Sequence, residues 1–182
     1  MRNYNYEKIY NKLLTPEIVQ LLAQIHEHKG EHAKVQEDEL THLIEIARIQ
    51  STEASNKIEG IVTTNTRVQQ ICADKTTPRN RDEEEIMGYR DVLNTIHESY
   101  EYIPIRSSYI LQLHRDLYKY SERGIGGRFK STQNFVAATY PDGTQKVLFT
   151  PLAPYETPAA IDAICESLNR TLDDCTIDPL VL

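Results

Sequence analysis

A change of period constrains this chain more than any other feature. From Thr15 to Tyr120 apolar residues recur at three- and four-residue spacing, the repeat of helices that each bury one face. Between Arg123 and Pro151 that spacing fails and short β-prone runs replace it. Helical spacing returns at Thr157. A mainly α-helical bundle with one β-hairpin accommodates both periods. Glycine is scarce, 7 in 182 residues, as suits a chain with few tight turns.

The elements can be placed from their ends. Thr15-Pro16, a capping residue and a residue suited to the first helical position, predicts a helix to about His28 with Gly30 as its stop. Its stripe is Ile18, Leu21, Leu22 and Ile25. A long helix follows from about Gln36 to Glu59, with Leu40, Leu43, Ala47, Ala54 and Ile58 on one face and Gly60 as terminator. A short helix is expected over about Thr64–Ala73. The next runs from about Asn80 to Tyr100, with Ile86, Tyr89, Leu93, Ile96 and Tyr100 as its stripe at spacings of 3, 4, 3 and 4. Ser107 is expected to cap a helix reaching about Tyr120. Asn134–Tyr140 and Lys146–Thr150 read as strands around Pro141-Asp142-Gly143, a hairpin turn. Thr157-Pro158 repeats the cap-plus-proline pattern and opens the last helix. The chain divides into an N-terminal helical region, about 1–100, and a second region, 101–182, that contains the hairpin at about 133–151.

Composition narrows the function. The formal charge is −7, and phosphate contacts need clustered Lys and Arg, so nucleic acid is not an expected partner. No run approaches the roughly 18 apolar residues of a membrane span, and Met1–Tyr10 has no apolar signal-peptide core. Cys72, Cys165 and Cys175 are odd in number and unpatterned, which fits reduced thiols in a cytoplasm and neither a disulfide framework nor a zinc site. His26, His28 and His32 do not share one helical face, so no metal site is expected. Asp82-Glu83-Glu84-Glu85 reads as the solvated first turn of a helix, where the dipole favours acids. His114 sits on an apolar stripe and reads as a packed, hydrogen-bonded histidine. Gly124, Gly126 and Gly127 lack the preceding strand of a phosphate loop.

One segment carries more specific chemistry. Ser55 and Glu59 are four residues apart and share a helical face, so the hydroxyl can brace the carboxylate. Gly60 releases the chain immediately afterwards. A carboxylate at that end of a helix meets the dipole's negative pole, at a cost of about 0.3–1 kcal/mol. It therefore calls for solvation or a cationic partner, and the spacing alone leaves both open.

Glu53-Ala54-Ser55-Asn56-Lys57-Ile58-Glu59-Gly60-Ile61 resembles the inhibitory motif, Ser/Thr-x-x-x-Glu-Gly/Asn, of Fic-family proteins that carry an inhibitory helix N-terminal to their catalytic core. The order of later segments strengthens the likeness. Tyr109–His114 resembles the family's helix before its flap, and Gly127-Arg128-Phe129-Lys130 resembles the lead-in to that flap. Asn134-Phe135-Val136 through Val147-Leu148-Phe149-Thr150-Pro151 resembles the flap hairpin itself. The likeness spans about residues 35–182.

The resemblance implies a Fic-type helical bundle from an autoinhibited enzyme that moves AMP from Mg-ATP to a Ser, Thr or Tyr hydroxyl of a protein. Ser55, Glu59 and Gly60 would be inhibitory, Glu59 pairing with an Arg that otherwise holds the γ-phosphate. Asn134, Phe135, Val136, Val147, Leu148 and Phe149 would register an extended target segment. The family's signature, His-Pro-Phe-x-Asp/Glu-Gly-Asn-Gly-Arg, is absent from these residues. The resemblance places it after Leu182, so a fragment, a truncated product or part of a longer protein is expected. Catalytic residues, metal ligands and tight ATP or Mg binding are then not expected in this chain alone. Its expected partners are the missing C-terminal core and a protein substrate, with a homodimer left open. Two other readings compete: a non-catalytic regulatory module acting in trans on a Fic core, and a DNA-binding helical lobe, which the acidic charge opposes.

Overall fold

The computed structural model describes residues 10, 12–29, 37–122, 124–175 and 177–182. Gly30, His32, Gln36 and Arg123 lie outside the described residues. Six longer helices and one hairpin follow in order: α1 (Pro16–Lys29), α2 (Glu37–Ile58), α3 (Asn65–Cys72), α4 (Arg81–Ser99), α5 (Ser107–Leu117), β1 (Val136–Thr139), β2 (Gln145–Phe149) and α6 (Thr157–Asp173). A 3₁₀ turn over Tyr100–Tyr102 ends α4.

Side-chain oxygens set several of the helix starts. Thr15 Oγ1 accepts from the Ile18 N–H at 3.3 Å, and Thr64 Oγ1 from the Arg67 N–H at 3.3 Å. Asn80 Oδ1 accepts from the Glu83 N–H at 3.0 Å. Two expected caps fall elsewhere. Arg106 is the N-cap of α5, and Ser107 is its first helical residue. Glu156 occupies the N-cap of α6; its carboxylate accepts from the Ala153 N–H while Thr157 Oγ1 donates to the Ala153 carbonyl.

The apolar core is small and lies where α3 packs on α4. Ile71 and Ile86 are fully buried, Met87 joins them, and Ile61 and Tyr120 close the cluster. A second buried patch, Ala160 and Cys165, belongs to α6. The expected inner face of α2 is different. Leu40, Leu43 and Ile58 are exposed, Ile58 by 83%. Periodicity reports a face able to be buried, and no described residue covers this one.

Gly88 in α4 lies directly against the end of α5. A Cβ built there would stand 1.8 Å from the carbonyl oxygen of Leu117, at the end of α5. The two backbones touch, which only a residue without a side chain permits.

Polar ties complete the bundle. Arg67 donates through Nε to Glu83 Oε1 at 2.9 Å, and a second nitrogen reaches Oε2. Thr63 Oγ1 and the Arg79 N–H donate to the same carboxylate. The expectation that Asp82–Glu85 is a solvated run thus fails at Glu83, which is buried because Arg67 supplies both a charge and a fork of donors. That fork holds the Glu83 carboxyl down to about 2. Asp91 ties α4 to the end of α5 by accepting from Tyr120 Oη at 2.7 Å and pairing with Lys119 and Arg90. Burial raises the Asp91 carboxyl, and those donors outweigh it, leaving it below its usual range.

Candidate functional site

The end of α2 is built by its own sequence. Gly60 takes φ +76°, its N–H donates to the Lys57 carbonyl at 3.1 Å, and the Ile61 N–H donates to the Asn56 carbonyl at 2.9 Å. This paired closure is the Schellman arrangement, and a left-handed glycine is what it needs. Ile61 then packs against the core and fixes the direction of exit. Glu59, at the C-cap, is left on the outside of the last turn with its side chain exposed. Among the described residues its carboxylate has no hydrogen bond or ion pair.

Ser55 lies one turn back. Its Oγ accepts from Tyr89 Oη of α4 at 2.9 Å. Asn56, 5% exposed, turns its Nδ2 onto the Thr52 carbonyl at 2.7 Å. The tip of α2 is therefore fastened to α4 by a hydroxyl pair. Ser55, Asn56 and Glu59 border a groove of about 530 Å³ whose other walls include Arg81, Tyr89 and Tyr118. Arg81 is already paired with Glu85, four residues on, at 2.7 Å. The groove thus carries two carboxylates and one guanidinium, a surplus of negative charge that repels a triphosphate and attracts a cationic side chain.

The hairpin forms a separate feature. β1 and β2 pair antiparallel, with Ala137 opposite Val147 and Thr139 opposite Gln145. A register shift after Val136 brings Phe149 opposite it, a bulge that leaves Leu148 between pairs. The turn is closed by the Tyr140 N–H to the Thr144 carbonyl at 2.9 Å, with Gly143 at φ +83°. Asp142 Oδ1 accepts from both the N–H and the hydroxyl of Thr144, which pulls its carboxyl below the usual range. Asn134 and Phe135 stand just before β1 rather than in it; Lys130 Nζ donates to Asn134 Oδ1 at 2.7 Å, and Gln133 Nε2 bridges Asn134 and Pro151 across the base. Phe135, Val136, Val147, Leu148 and Phe149 are all exposed. None of them lines the groove beside Glu59.

His114 is packed as expected. Its Nδ1 accepts from the Gly127 N–H at 3.2 Å, and its ring meets Tyr118 edge-on at 5.2 Å. That contact holds the glycine-rich segment against α5, where Gly126 also lies too close to Arg115 for any side chain. Sequence reasoning did not find Tyr89 as the partner of Ser55. Its only trace was a polar-tipped residue at a stripe position of α4.

The backbone has a counterpart among solved structures. It is similar to the crystal structure of a Fic-domain-containing signaling protein from Bacteroides thetaiotaomicron VPI-5482, with a TM-score of 0.72 and 20% identity, over 87% of this chain and 59% of that one. The chain has a Fic-like fold. It spans about three fifths of the structure it matches. No protein-family model and no curated protein matches the sequence. Among the described residues no helix is long and apolar enough to cross a membrane.

Proposed function

We propose that this chain is the regulatory part of an autoinhibited protein AMP-transferase, and that Glu59 is its inhibitory group. The observation that carries the reading is the uncommitted carboxylate of Glu59, held outside the last turn of α2 by the Gly60 closure and facing a groove. A carboxylate there is a ready partner for a guanidinium supplied by a catalytic core. In the chemistry that the Fic-like fold suggests, that guanidinium otherwise grips the γ-phosphate of ATP, so occupying it leaves the triphosphate out of line for transfer. Ser55 and Tyr89 act by fixing the tip of α2 against α4.

The described residues that line the groove are not suited to hold ATP and Mg. The groove's charge has the wrong sign, and no glycine-rich turn faces it. These residues keep a cation-seeking acid in place, and the nucleotide, the metal and the general base belong to the core. The hairpin would offer an exposed edge to an extended segment of the protein substrate.

The test joins these residues to a core that bears the His-Pro-Phe signature and measures AMP transfer from labelled ATP. Glu59→Gly is expected to raise transfer about tenfold or more, the equivalent of about 1.4 kcal/mol of lost competition for the guanidinium. Equal rates for the two forms would refute the reading. Adding the chain to a separate core tests inhibition in trans with the same readout.

A further inference from the structure

Roughly two to three turns back along α2 from Glu59, a cavity of about 630 Å³ lies between α2, α3 and α4. It does not depend on the function proposed above. Arg48 of α2 lines it, and Arg48 Nε is buried with no hydrogen-bond partner among the described residues. A buried charged donor left unmatched is costly, and few survive in folded chains without an acceptor of some kind. Lys75, just past the end of α3, also lines the cavity and is exposed.

The rest of the lining is suited to an anion. Arg90 also faces the cavity, but its charge is answered by Asp74 and Asp91, and Nη1 donates to the Ile71 carbonyl. It contributes a wall rather than a free charge. Burial pushes the Cys72 thiol up, so that group stays neutral and repels nothing. Asn94 offers a neutral amide. Glu45 is the carboxylate on the lining and is exposed. Against it stand Arg48 and Lys75, so the cavity is locally cationic in a chain of formal charge −7.

We propose that this cavity binds a small molecule bearing an oxyanion, which accepts from Arg48 Nε and pairs with Lys75. The volume exceeds what a bare ion fills, so the ligand carries a polar body that the Asn94 amide contacts.

The test is titration of the purified chain with inorganic phosphate and, separately, with succinate, by calorimetry and thermal melting against sodium chloride at equal ionic strength. Saturable binding of either probe is expected, with a rise in melting temperature; the probe that binds tells phosphate from carboxylate recognition. Arg48→Met is expected to weaken binding about tenfold or more, the worth of one hydrogen bond to a charged group. Lys57→Met, which removes an exposed cation from the same helix outside the cavity, is expected to leave it unchanged. Lys75→Met, at an exposed position that folding does not need, is expected to weaken binding about threefold and serves if Arg48→Met fails to fold. Absence of saturable binding by both probes, or equal affinity in wild type, Arg48→Met and Lys75→Met, would overturn the proposal.

Discussion

Glu83→Gln is expected to cost the chain about 3–5 kcal/mol at neutral pH, read as a lower urea midpoint with an unchanged slope. The carboxylate is 2% exposed and accepts from Arg67, Thr63 and the Arg79 N–H. Glutamine keeps the shape but converts one acceptor oxygen into an NH₂ that faces other donors. It also leaves the Arg67 guanidinium in the interior without a counter-charge. The paired replacement Arg67→Met with Glu83→Leu is expected to recover much of the loss, because a buried ion pair adds little over an apolar pair of similar volume. A loss under about 1 kcal/mol in the single variant would show that solvent reaches the pair.

The same group sets an acid limb. Its folded pKa, about 2, lies below the unfolded value of a glutamate. A depressed carboxylate contributes stability above the unfolded value and loses it as pH falls toward the folded one. Wild type is therefore expected to lose stability between about pH 4.5 and pH 2, and Glu83→Gln to show a shallower slope in that window.

Gly88→Ala is expected to destabilise by about 2 kcal/mol or more. Alanine gains up to about 1 kcal/mol of helix propensity, which alone would predict a more stable protein. Packing decides the sign. The new Cβ would meet the Leu117 carbonyl oxygen at 1.8 Å, and that atom is backbone, so α4 and α5 must move apart. Overpacking of this kind costs about 1–3 kcal/mol, and more where the obstacle cannot turn aside. The displacement also reaches the site, because Leu117 and Tyr118 line the groove beside Glu59. Urea denaturation with a crystal structure of the variant checks both effects. Unchanged stability would mean that the crossing is looser than the glycine implies.

Local features were legible in the sequence where a residue type has one conformational use. Gly60 and Gly143 both take positive φ, as a helix stop and a hairpin turn require, and the hairpin formed around Asp142-Gly143. Helix spans were readable to within a few residues because caps and stripes coincide. Relations between elements were not readable. Gly88 looks like a weak point in a helix until α5 is seen to cross it. Arg67 and Glu83 are 16 residues apart, and nothing in the acidic run from Asp82 marks which carboxylate turns inward. Exposure of the α2 stripe was likewise hidden, since periodicity is silent about which partner is at hand. At the candidate site, spacing put Ser55 and Glu59 on one helical face and Gly60 at its end, but the expected brace from the Ser55 hydroxyl to Glu59 is not made: that hydroxyl accepts from Tyr89, a partner that only the packing of α4 reveals.

The hairpin has an evolutionary consequence. Every residue of β2 is exposed, and its strands pair with each other rather than with the helical core. Substitutions at Val147 or Leu148 therefore carry almost no folding penalty. This edge can therefore change one position at a time while the bundle behind it stays fixed.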